Sequence, residues 1–176
     1  MKLFKTNERN MFHYVTLVTF NRVPVFRSHK ACQIFVDVLR EVRERYPYKL
    51  VGYVLMPDHA HAIVNNRSGT ISDWLRRVRG NSARKILDWL RGEGHLTSLA
   101  KLALLHPQKR KHTHAVWQKD PSVIDLWSHK FIRQKLNCLH LNPVRAGLCK
   151  HPAEWKWSSY RAYLPHKVGE VPIEID

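Results

Sequence analysis

Long apolar runs are missing from this 176-residue chain. No segment approaches the ~20 consecutive apolar residues of a membrane-crossing helix, and no amphipathic terminal anchor stands out, so no membrane is expected. Met1 to Asn10 is polar and basic with no apolar stretch behind it, which leaves no secretory signal to read. Cysteine is scarce too. Cys32, Cys138 and Cys149 are odd in number and lack a metal-ligand spacing, which argues against a disulfide framework and suits a reducing, cytoplasmic setting. Acidic residues are also few: 14 Asp and Glu stand against 30 Lys and Arg, and the +16 excess is spread along the chain. Its natural partner is a polyanion, and with membrane features absent that means nucleic acid. No internal repeat or low-complexity tract divides the sequence, and its length suits one domain over residues 1–176 better than two.

What is present is periodic. Phe12 to Phe20, rich in Val, Thr, Tyr and Phe, reads as a strand, followed by an irregular link to His29. Ala31 to Arg45 carries Ile34, Phe35, Val38, Leu39 and Val42 at helical spacing and stops before Pro47. Tyr48 to Leu55 and His59 to Asn65 read as two strands joined by a turn at Pro57-Asp58. Ile71 to Leu90 reads as a second helix, with Arg76, Arg77, Arg79, Arg84 and Lys85 around its polar side. Those five would ordinarily form a solvated face, yet a chain this basic makes phosphate contact an equal expectation. Gly92 to His114 is the least periodic part and reads as a basic excursion. Ala115 to Trp117 is a candidate fourth strand, and Pro121 to Asn142 a third helical region closed by Pro143 and Gly147. This order fits an α+β split β-α-β sandwich: an antiparallel sheet with helices on one face and the other face open to a ligand.

Chemistry concentrates in Met56-Pro57-Asp58-His59-Ala60-His61. On an extended chain residues i and i+2 share a face, so His59 and His61 can offer imidazoles to one metal ion. Spacing alone is weak warrant, because twelve histidines in this length give roughly one such pair by chance, and His112/His114 is another. On the third helix, Ile132, Leu136 and Leu139 form a stripe for the core, while Cys138 and Asn142, four apart, share a neighbouring face. Asn142 could add an amide oxygen to a metal held by the two histidines. Two imidazoles and an amide, with no thiolate, suit Mg or Mn engaged with a phosphate. Trp155, Trp157 and Tyr160 read as a packed C-terminal clasp in preference to a base-stacking platform.

Together, Met56 to His61, Val116-Trp117-Gln118, Lys130-Phe131 with Gln134-Lys135-Leu136, Leu141-Asn142-Pro143-Val144-Arg145-Ala146-Gly147-Leu148 and Trp157-Ser158-Ser159-Tyr160 resemble the motifs of REP-associated tyrosine transposases, in order and spacing over about residues 12–163. These are single-tyrosine HUH transposases. The resemblance implies a ferredoxin-like fold, single-stranded DNA hairpins as partners, and a divalent metal held by His59 and His61 and completed by Asn142. It also implies cleavage and joining in which a tyrosine attacks the phosphate, giving a 5′-phosphotyrosine and a free 3′-hydroxyl. Lys135 and Arg145, inside these motifs, join the helix arginines as candidate DNA contacts. At the nucleophile's position, however, stands Cys138. A tyrosine oxygen lies about 6.5 Å from its Cα and a cysteine sulfur roughly 2.8 Å, by summing bond lengths. The thiol is therefore short as well as soft. Three outcomes stay open: a nicking and joining enzyme, a non-catalytic DNA-binding module that keeps the metal site, or a metal-dependent RNA- or DNA-binding hydrolase that cuts without covalent attachment. Monomer and homodimer both stay open as well.

Overall fold

The computed structural model describes residues 11–67, 69–104, 113–165, 173 and 175–176. Strand β1, Phe12–Val18, is buried at His13, Tyr14, Val15 and Leu17 and half-buried at the rest. Helix α1, His29–Arg45, starts at Ser28, whose side chain accepts from the Ala31 amide, and buries Phe35, Val38, Leu39 and Val42. Strands β2, Lys49–Met56, and β3, His59–Asn65, form the expected hairpin. Helix α2, Ile71–Gly92, opens with a Thr70–Asp73 capping box. Helix α3, Leu96–Leu102, lies within the basic excursion, where the sequence pattern showed no period. Strand β4, Ser122–Leu126, precedes helix α4, His129–His140, and the short helix α5, Asn142–Arg145. Lys109, Arg110, Lys111 and His112 of the excursion lie outside the described residues.

All strand pairings are antiparallel, in the order β2-β3-β1-β4. This is the α+β sheet that the element order called for, with its fourth strand displaced. Ala115 to Trp117 gives only an isolated bridge, Trp117 to Thr19, while the true β4 lies inside the stretch read as helix. Two details explain the difference. Val123 and Ile124 favour an extended chain, and the helix begins only at Ser128, whose hydroxyl accepts from the Phe131 amide.

Strand alternation divides the interior in two. Val15, Leu17, Leu55, Ala60, Ala62 and Val64 face α1 and α2, with Trp117 and Trp157 joining the same cluster. Tyr14, Val54, Met56 and Ile63 turn the other way and meet Leu139, with Ile132 and Leu136 at the margin. The stripe expected on α4 does reach a core, but on the face that the sequence pattern left open. That face is thus partly roofed. Gly52 permits the approach: a Cβ there would lie 2.5 Å from Leu136 Cδ1.

The clasp expected at the C-terminal side covers the outer edge of β2. Leu55 N donates to Trp157 O at 2.8 Å, Trp155 Nε1 to Leu55 O at 2.8 Å, and Val54 bridges Ser158. Ser159 Oγ accepts from Tyr53 N at 3.0 Å and lies 2.9 Å from His140 Nε2, linking the clasp to α4.

Candidate metal and DNA-processing site

The face beneath α4 carries the histidine pair. In the β1–β3 register Thr16 lies opposite His61 and Val18 opposite His59. The two imidazoles meet edge to face with centroids 4.9 Å apart. Each is oriented through Nδ1. His59 Nδ1–H donates to Asp58 Oδ1 at 2.6 Å, and His61 Nδ1 lies 2.9 Å from Thr16 Oγ1. With its Nδ1–H given to Asp58, His59 keeps a lone pair on Nε2; His61 does the same in the tautomer that donates to Thr16. A carboxylate or hydroxyl behind the far nitrogen is the usual support of a ligating histidine. The pair therefore fits a divalent ion as two ligands of an open site. Among the described residues no cluster of three or more His, Cys, Asp and Glu suits a metal, so further donors would be an amide, water or substrate.

Asp58 is itself braced. Its backbone carbonyl accepts from Thr19 N at 2.9 Å and Thr19 Oγ1 at 2.8 Å, and its Oδ2 from Arg22 at 2.9 Å. Burial pushes its carboxyl up, but bonds from His59 and Arg22 outweigh that and hold it below the ordinary value. Asn21 and Arg22 both adopt left-handed backbone, with φ of 50° and 53°. This conformation costs roughly 1–2 kcal/mol per L-residue, an outlay set directly behind the histidine pair. His61 is held neutral: burial first, then neighbouring His59 and the Lys135 charge, pull its pKa down to about 3. A neutral imidazole is the form that ligates.

Helix α4 lays Lys135 and Cys138 over this patch. Lys135 Nζ stands 5.4 Å from the Tyr14 ring centre, and Tyr14 packs 5.2 Å from His61. Burial first, then neighbouring Cys138, pushes the Tyr14 phenol up to about 12. Cys138 thus borders the histidine face through Tyr14, and Asn142 opens α5 one turn later, half-buried. Tyr160 and Tyr163, the tyrosines that follow Cys138 in sequence, pack instead on His140, at 5.3 and 5.4 Å, and Tyr163 donates to the Val51 carbonyl. Tyr14 sits by the histidines but keeps its proton.

The α2 cations stand across the sheet from the pair, and four have partners there. Arg76 pairs with Asp73 at 3.1 Å, Arg77 lies 3.3 Å from the Tyr46 ring centre, Arg79 donates to the Gln118 and Lys119 carbonyls, and Lys85 pairs with Glu41. Arg84 lines a groove of about 720 Å³ between α2 and Thr113–Trp117. Arg145 is exposed on α5. Thr16 and Tyr14 escaped the sequence reading. Period-two alternation puts them on one face, but naming them as neighbours of His61 needs the β1–β3 register, which no local motif encodes.

An antiparallel sheet with helices defines an α+β domain, here with a braced His-x-His pair under one helix, and the comparisons give the family. The family model of IS200-like transposases matches residues 7–94, and the chain belongs to that family. A solved REP-associated tyrosine transposase bound to a REP hairpin superposes with a TM-score of 0.70 at 15% identity, covering 100% of this chain and 92% of that one. A candidate transposase of Deinococcus radiodurans R1 gives a TM-score of 0.48 at 18% identity, covering 78% of this chain and 95% of that one. No curated protein sequence matches. No helix among the described residues is long and apolar enough to cross a membrane.

Proposed function

We propose that this transposase-family protein binds hairpin-forming single-stranded DNA on the α4 face and holds one Mg or Mn ion there through His59 and His61, with Asn142 as the third ligand. The observation that carries the reading is the Nδ1 bracing of both imidazoles, by Asp58 and by Thr16. Such bracing fixes tautomer and ring plane, which a merely structural histidine pair does not need. A bound divalent ion would supply a Lewis acid for the scissile phosphate. Lys135 is the nearby cation that would meet a DNA phosphate, and exposed Arg145 on α5 would extend the contact, whereas the α2 cations, across the sheet, stand outside it. The REP-hairpin complex of the structural neighbour supports a folded single strand as the partner.

The family's covalent step is a separate matter. A tyrosine at position 138 would attack the phosphorus, form a phosphotyrosine ester and release the 3′-hydroxyl. Cys138 offers a shorter, softer group, and the buried Tyr14 phenol retains its proton near neutral pH. The reading supported best is a DNA-binding protein with a metal site and no covalent step of its own. Calorimetric titration with Mn²⁺ tests the site: one ion should bind, and the His59→Ala/His61→Ala double variant should abolish it. Equal binding by that variant would sink the reading.

A further inference from the structure

Trp127 is 76% exposed, the largest exposure among the big apolar side chains described. A single exposed apolar residue is ordinary and by itself means nothing. This one is different in its setting. Leu126 before it is buried at the end of β4, and Ser128 after it caps α4, so the indole is held out on fixed backbone and not on a loose loop. It also starts a continuous row. The Trp127 ring lies 5.3 Å from Phe131, Lys135 Nζ lies 5.5 Å from Phe131 and 5.4 Å from Tyr14, Tyr14 lies 5.2 Å from His61, and His61 lies 4.9 Å from His59. Aromatic faces and one cation therefore run from the β4 edge to the histidine pair.

We propose that this row is the path of an unpaired DNA segment, with a base stacked on Trp127 and a phosphate met by Lys135 as the strand approaches His59 and His61. The assignment rests on the DNA-binding reading above and deepens it. Alternating stacking platforms and cations are how single strands are held without base readout. Asp125, the carboxylate nearest in sequence, is turned to the opposite face and bonded to His13 at 2.8 Å, so it does not oppose a phosphate on the row. Lys135 forms no ion pair with any described carboxylate, which leaves its charge for the strand. A second copy of the chain is the poorer occupant, because +16 charge on each copy repels.

The test is anisotropy titration of two labelled DNA hairpins with equal phosphate number, one blunt and one carrying an unpaired extension. Wild type should prefer the extended hairpin. Trp127→Ala should weaken that binding about tenfold or more, Trp127→Phe should retain most of it, and the blunt hairpin should bind all three equally. Equal affinity of Trp127→Ala and wild type for the extended hairpin overturns the path while leaving DNA binding intact. Failure of wild type to bind either hairpin overturns both readings. Tighter binding of the same extension in RNA overturns the choice of DNA. A change of mass by light scattering in Trp127→Ala, with unchanged DNA affinity, assigns the indole to contact between copies and overturns the path.

Discussion

The two faces of the sheet are made by the same strands and put to different uses. On one, Val15, Leu17, Ala60, Ala62 and Val64 meet two long helices and a layer of aromatic side chains in a broad apolar core. On the other, Tyr14, Thr16, His59 and His61 meet a single helix, and apolar packing is confined to a smaller cluster around Ile63, Val54 and Leu139. Alternate residues of β1 and β3 serve the two faces, so a one-residue slip in register would exchange core for chemistry. The broad core therefore supports the fold, and it also fixes which way the imidazoles point.

Unfolding measurements put that division under the greatest load. Leu39→Ala, on α1 with no exposed surface, should lower stability by about 2–5 kcal/mol, whereas half-buried Ile132→Ala on α4 should cost about 1 kcal/mol. Equal costs from urea titrations would erase the distinction between the faces.

Much of the first face was legible in the sequence. The spacing of Phe35, Val38, Leu39 and Val42 gave α1, and the His59 to Asn65 run gave β3 with its own boundaries. Strand β4 was hidden because five residues are too few to show a period, and the helical stripe that follows absorbed them. The side on which α4 docks was hidden for a different reason. Its Ile132, Leu136, Leu139 stripe demands an apolar partner without saying which face of the sheet supplies it, and Gly52, the residue that admits it, looks in sequence like a defect in a strand. For the candidate site, His59 and His61 could be paired from their i, i+2 spacing and Cys138 was singled out only by the family resemblance, while Thr16 and Tyr14 needed the pairing of distant strands.

Acidity loads the α4 side of the molecule. Burial lowers His140 from its ordinary value to about 4, where it ties α4 to Ser159 of the clasp. Between pH ~6.5 and ~4 the unfolded chain then binds the extra proton, so stability should be complete above ~6.5 and fall with falling pH, by up to roughly 3 kcal/mol from this group. His61 is depressed by burial and acts with the same sign. Thermal melts of His140→Gln should show a shallower pH slope than wild type. An unchanged slope would mean that the clasp side of α4 does not titrate as a buried group.

Salt should act on ligand binding alone and by a smaller amount. With about four phosphates engaged on a single strand, raising salt from ~50 to ~200 mM should weaken hairpin binding roughly fifty-fold, about 2 kcal/mol. Anisotropy at the two concentrations reads this. A flat response would separate the +16 charge from the DNA contact.

As proposed above, the α4 face keeps the binding and metal parts of a DNA-cleaving site while position 138 lacks the group that makes the covalent bond. Wild type and Cys138→Tyr, each incubated with a labelled hairpin and Mn²⁺ and then run on a denaturing gel, test it most directly. Both proteins should bind the hairpin; wild type should give no protein-linked product, and Cys138→Tyr should give a 5′-linked one. A denaturation-resistant adduct from wild type, mapped to Tyr14, Tyr160, Tyr163 or Cys138, would contradict the claim, as would a Cys138→Tyr protein that binds the hairpin and forms none.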